Sequence, residues 1–92
     1  MSRITQKQEA IIKVFGNAER VQLLCCLAKP HTVTELLEKC TLSQSALSQH
    51  LTLLKEVNLV HCIRDGKHQI YSVVDKDVLL VAKTLLAYSM TK

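Results

Sequence analysis

Leu42-Ser-Gln-Ser-Ala-Leu-Ser-Gln-His-Leu-Thr-Leu-Leu54 is the stretch whose reading decides the fold. Wound as a helix at about 100° per residue, it gathers Gln44, Ser45, Ser48, Gln49, Thr52, Lys55 and Glu56 into one sector of about 140°. Ala46, Leu47, Leu53, Leu54 and Val57 fall outside that sector. Ser and Gln offer both donors and acceptors, as base edges in a major groove do, and they are short enough to let a helix backbone approach the groove floor. A helix that is merely solvated carries more Glu and Lys on such a face. His50 lies about 240° from Gln44, on the packing side, and is expected to be a hydrogen-bonded support.

The flanking residues give this helix a setting. Thr32-Val-Thr-Glu35 has the spacing of a capping box, opening a short helix through Leu36, Leu37 and Cys40. Thr41-Leu42-Ser43 then turns the chain, and Ser43 is a good N-cap for the polar-faced helix, so the segment reads as helix-turn-helix. Downstream, Leu59–Arg64 and His68–Val73 are strand-like runs joined across Asp65-Gly66, a dipeptide that favours tight hairpins. A first helix is expected from Thr5 to Phe15 and a second from an Asn17 cap to about Ala28. A last helix starts near Asp75. The predicted fold is mainly α with a β-hairpin: a winged helix-turn-helix of four helices, a two-stranded wing and a C-terminal helix. It fills residues 1–92 as a single DNA-binding domain with N- and C-terminal dimerisation helices.

Composition bounds this reading. Ninety-two residues make one small core, and 48% hydrophobic content with one Phe, two Tyr and no Trp makes that core aliphatic. Two Gly and one Pro leave no linker or repeat. There is no apolar run long enough to span a bilayer and no apolar region at the N-terminus, so a cytoplasmic protein without membrane contact is expected. Ile4, Ile11, Ile12 and Phe15 form a stripe on the first helix, while Val78, Leu79, Leu80, Val81, Ala82, Leu85 and Leu86 make the last apolar nearly all round. Such a helix needs cover on both sides, so Ile4, Ile11, Phe15, Val78, Val81 and Leu85 are expected at an isologous homodimer interface.

The net charge of +4 does not sit on the polar-faced helix, where Lys55 and Glu56 cancel. Arg3, Lys7 and Lys13 oppose Glu9 near the start, and Arg64 and Lys67 oppose Asp65 in the hairpin. With a two-residue turn across Asp65-Gly66, Arg64 and Lys67 would face each other at the wing tip, a place suited to a backbone or minor-groove contact. The candidate DNA-binding residues are Ser43, Gln44, Ser45, Ser48, Gln49, Thr52, Arg64 and Lys67, with double-stranded DNA as partner. Tyr71 is read as packing for the hairpin.

Asn17-Ala-Glu-Arg-Val-Gln-Leu-Leu-Cys25, Leu42-Ser-Gln-Ser-Ala-Leu-Ser-Gln-His-Leu51 and Arg64-Asp-Gly-Lys67 resemble the ArsR/SmtB family of bacterial winged-helix repressors over nearly the whole chain. Within it, the Leu-Ser-Gln-Ser-Ala-Leu-Ser-Gln-His-Leu run is similar to the branch that holds HlyU, BigR and NolR. The resemblance implies a homodimer on an imperfect palindromic operator, with the first and last helices at the interface. Some family members bind metal through cysteines on the first helix of the helix-turn-helix, but Val33-Thr-Glu-Leu-Leu37 has none. Others use Asp, His and Glu on the last helix, but no His follows His68. His61 and Cys62, adjacent on a strand, point to opposite faces and cannot grip one ion together. Neither a metal nor any other cofactor is expected.

The four cysteines, at 25, 26, 40 and 62, form no CxxC pair. They read as packed thiols or as a redox switch. The resemblance implies a reactive thiol at Cys25 paired with a second near the end of the last helix. Here that end is Ala87-Tyr-Ser-Met-Thr-Lys92, without a cysteine. Periodicity puts Cys25 on the core side with Val21, Leu24 and Ala28, and Cys26 on the polar side, so the candidate redox residues are Cys25, which the resemblance implies, and Cys26, which helical geometry makes the more accessible thiol. Catalysis finds no support, since the chain holds no nucleophile triad, phosphate loop or paired carboxylates on one face. The expectation is a dimeric sequence-specific transcriptional regulator, a repressor that does not sense metal. The alternative is a winged-helix anti-silencer or protein-interaction module with a redox-sensitive Cys. That version calls for exposed Leu or aromatic residues at 44, 45, 48 and 49.

Overall fold

The computed structural model describes residues 3–91, with side chains to Tyr88. The elements run α1 (Gln6–Phe15), α2 (Ala18–Cys26), β1 (His31–Thr32), α3 (Val33–Lys39), α4 (Gln44–Glu56), β2 (Val60–Asp65), β3 (His68–Val73) and α5 (Lys76–Thr91). Caps start the helices. Thr5 and Gln8 form a capping box on α1, and Thr32 and Glu35 form the expected one on α3. The Glu35 carboxyl, accepting the Thr32 amide at 2.8 Å, is held below the usual carboxylate value chiefly by that bond. Asn17, Ser43 and Asp75 each accept from a backbone N–H three residues on. Arg20 reaches back to the end of α1, with Nε donating to the Val14 carbonyl at 3.0 Å and a terminal nitrogen to Lys13 at 3.3 Å. It thereby answers carbonyls that the helix leaves open.

The end of α4 is a Schellman motif. Asn58 takes φ 61, a left-handed conformation that Asn tolerates better than most residues. The Leu59 amide donates to the Leu54 carbonyl at 3.0 Å and the Asn58 amide to Lys55 at 3.0 Å. Leu54 and Leu59 are both buried, supplying the hydrophobic contact that accompanies this motif. The chain therefore leaves the helix in a fixed direction and enters β2 at Val60.

Three details differ from the sequence expectation. The wing belongs to a three-stranded antiparallel sheet ordered β1-β3-β2, because His31 and Thr32 pair with Tyr71 and Ile70. A two-residue strand has no periodicity to read. It is fixed by His31, whose Nδ1 donates to the Lys29 carbonyl at 2.7 Å while Nε2 accepts from Lys39 Nζ at 2.8 Å. Second, Asp65 pairs with His68, so the turn residues are Gly66 and Lys67 and not Asp65 and Gly66. Gly66 has φ +62, which suits the first central position of a type II′ turn. Third, α2 ends at Cys26, two residues short of Ala28.

Leu23, Leu24, Leu27, Leu36, Leu47 and Leu54 are the largest fully buried side chains, and they join α2, α3 and α4 into one core. Val60 and Tyr71 carry it into the sheet, and Val78 and Ala82 into α5. Two backbone bonds lock the wing down, from the Val73 amide to Leu27 and from the Val74 amide to Leu59. Val78, expected at the dimer interface, is only 8% exposed and faces its own subunit's core. Ile11 and Phe15 are half-buried against that core. Among the described residues, the large apolar side chains left outward include Ile4 and Ile12 near the start and Leu80, Val81, Leu85 and Tyr88 on α5, besides Leu53 on α4, Ile63 on the wing and Val74 after it. No helix among the described residues is long and apolar enough to cross a membrane.

Candidate nucleic-acid interface

Burial divides α4 cleanly. Leu47, His50, Leu51 and Leu54 face inward, whereas Gln44, Ser45, Ser48, Gln49 and Thr52 are exposed. Two of the hydroxyls are already engaged. Ser43 Oγ accepts the Ala46 amide at 3.1 Å as the cap, and Thr52 Oγ1 donates to the Ser48 carbonyl at 2.8 Å. Thr52 therefore presents acceptor capacity outward, and Gln44, Ser48 and Gln49 keep their side-chain donors. Leu53, placed outside the polar sector by sequence, is 41% exposed and lines a shallow depression with Ser48, Gln49 and Thr52.

His50 holds α4 from behind. It is buried, and its Nε2 lies 3.4 Å from Glu19 Oε1 on α2, so it bridges the two helices as a support. Its Nδ1 is buried with no hydrogen-bond partner among the described residues.

The wing carries its cations differently from the expectation. Arg64 pairs across the sheet with Gln69, and Lys67 stands in the turn, so the two are not cross-strand partners. Both are exposed. Alternation along β2 and β3 sets Arg64 and Gln69 on the same face as Cys62, Tyr71 and Val60, the face turned towards the helices. Gln69 thus lines a crevice with Gln44, Ser48 and Thr52. Sequence reasoning missed Gln69 and Leu53. The alternation in β3 could have pointed to Gln69, while nothing local could have joined it to α4.

The four thiols are all free and half-buried. A cavity of about 410 Å³ between α2, the α3–α4 turn and α5 is lined by Cys25, Cys26, Cys40, Glu19, Lys39 and Leu86. Cys26, expected on the polar side, faces Cys40 across this cavity. Burial pushes the Cys40 thiol up, as does the neighbouring Cys26, against a smaller pull from Lys39. Burial likewise raises Cys25, with Cys26 adding and Lys83 opposing. Raised thiols hold less thiolate at neutral pH and react slowly. Brief alkylation of the folded protein should therefore label Cys26 before Cys25 and Cys40, and labelling of the latter two should accelerate as pH rises. Labelling of Cys25 first would reverse this order. DNA binding that persists under oxidant in the wild type, Cys25→Ser and Cys26→Ser would leave these thiols as packing groups. No group of three or more His, Cys, Asp or Glu among the described residues could hold a metal ion.

Residues 17–61, spanning α2 to the start of β2, match the family model described as bacterial regulatory protein, arsR family. The transcriptional activator HlyU of Vibrio cholerae is 33% identical over 86 residues, which cover 92% of this chain and 80% of that protein. The chain belongs to the arsR family. Solved structures agree on the fold. HlyU from Vibrio cholerae N16961 superposes with a TM-score of 0.79 at 32% identity, covering 92% of this chain and 94% of that one. NolR from Sinorhizobium fredii gives 0.77 at 30% identity, covering 92% and 93%. The regulator accordingly lies in the HlyU and NolR branch, and its helix-turn-helix is that of a DNA-binding transcriptional regulator.

Proposed function

We propose that this arsR-family regulator acts as a homodimer that inserts one α4 per subunit into successive major grooves of an imperfectly palindromic operator, with the wings on the flanking backbone. Bound over a promoter, the dimer represses by occlusion, and it does so without a metal or other cofactor, in the cytoplasm. The observation that carries this reading is the exposed face of α4. Gln44, Ser45, Ser48 and Gln49 are solvent-facing, uncharged and rich in hydrogen-bonding groups, while the opposite face is sealed by fully buried leucines. A helix built to dock on a protein would place Leu or aromatic residues at those four positions. Arg64 and Lys67, exposed on the wing, supply the net positive charge that α4 lacks. The outward apolar side chains of α1 and α5 support the dimer, since a lone subunit would leave them in water.

The test is selection from duplexes with a randomised core, followed by footprinting of the selected site at several salt concentrations. Arg64→Ala and Lys67→Ala should weaken specific and non-specific binding together. Each should flatten the slope of log affinity against log salt by about one unit for every phosphate that the variant no longer neutralises. Wild-type protein that enriches no sequence would overturn the base-reading role of α4. An unchanged slope would remove the wing from the phosphates.

A further inference from the structure

Gln69 is two residues from Tyr71 on β3 and stands opposite Arg64, so its side chain leaves the sheet on the face turned to the helices. Tyr71 is buried at the inner edge of that face, while Gln69 is exposed at its outer edge. Between wing and helix runs a crevice of about 190 Å³, with Val33, Leu51 and Tyr71 as its apolar side and Gln44, Ser48, Thr52 and Gln69 as its polar side. A wing residue and three exposed α4 residues therefore open on the same space. The Gln69 amide is also oriented, because Tyr71 Oη donates to Gln69 Oε1 at 3.4 Å. Burial and the neighbouring Cys62 push the Tyr71 phenol above its ordinary value, so it remains a donor at neutral pH. With one Oε1 lone pair engaged, the amide keeps a second lone pair and both Nε2 protons. One acceptor beside one donor is the complement of adenine N6 and N7.

We infer that Gln69 is a base-reading residue, contacting an adenine edge at the wing-side flank of the sequence that α4 reads, with Tyr71 as its positioning residue. The inference rests on the reading of α4 as the groove-facing helix. It adds a second reading element, since a strand fixed in the sheet carries the amide where a mobile wing tip would leave it disordered. Phosphate contact is the weaker assignment for this side chain. Gln69 is neutral, and the guanidinium of Arg64 beside it is the better phosphate ligand.

The probe is the half-site enriched from a randomised duplex pool by the wild-type protein, prepared with every single-base change. Wild type should lose about 5- to 150-fold in affinity when the flanking adenine pair is changed. Gln69→Ala should shrink that discrimination to about twofold, leaving wild-type discrimination at the pairs read by Gln44 and Gln49. Tyr71→Phe keeps the ring in the core and frees the amide, so it should blunt discrimination at the flanking pair alone. A packing defect would instead weaken binding to every duplex alike. A Gln69→Ala profile identical to wild type overturns the inference. An equal loss on every duplex also overturns it, because that is the signature of a phosphate contact. A wild type that discriminates at no pair fails the reading of α4 before Gln69 is tested, and takes the inference with it.

Discussion

Leu85→Glu is expected to dissociate or unfold the dimer and to abolish operator binding. Leu85 is 41% exposed in the single chain and shares one flank of α5 with Val81 and Tyr88, at spacings of four and three residues. A twofold partner covering that flank would enclose the new carboxylate without a counter-charge, at a cost of several kcal/mol, about what holds a small domain together. Operator affinity falls with dimerisation, since two half-sites about one helical turn apart are held only by two linked subunits. Sedimentation and gel shift of the variant beside the wild type check both parts. Wild-type protein that sediments as a monomer at micromolar concentration, yet binds its site fully, would contradict the dimer.

Gln44→Ala and Gln49→Ala should act on specificity and leave the fold intact. Both side chains are exposed, and Ala is the better helix former, so thermal stability should hold or rise slightly. Removing either amide from its base should weaken binding to the cognate site by about 1–3 kcal/mol per half-site and leave binding to random DNA nearly unchanged. In the proposed dimer the interaction is repeated in each half-site, so the loss counts twice per operator. Equal weakening on cognate and random duplexes would mean that the two amides touch phosphate and do not read bases.

Where the signal is local, the sequence is legible. The α3 capping box, the Ser43 and Asn17 caps and the two faces of α4 depend on residues three or four apart, a range over which backbone geometry is fixed. The hairpin is legible for the same reason, but its turn lies one residue later than the sequence suggests. Asp-Gly and Gly-Lys are both acceptable turn pairs, and the choice is made by which register pairs Cys62 with Tyr71 and Val60 with Val73 over the core. The Asn58 motif escapes the sequence reading, although its buried Leu54 and Leu59 contact is written in the chain.

The amino-acid sequence by itself determined the helix-turn-helix, the polar face of its second helix and the wing, because each rests on short-range periodicity, capping and turn chemistry, while the family was legible through the resemblance of whole motifs. Only the tertiary structure decided which apolar residues of α5 are core and which remain outward. Val78 and Leu85 look alike in sequence, and the packing of α2 against one side of α5 separates them. It also decided that β1 joins the sheet, that Cys26 meets Cys40, and that Gln69 shares a crevice with Gln44. These are contacts between residues distant along the chain, and no local rule encodes them. They exist because burying one leucine core brings α2, α4 and the wing together, and the surface groups are then carried to where that core leaves them.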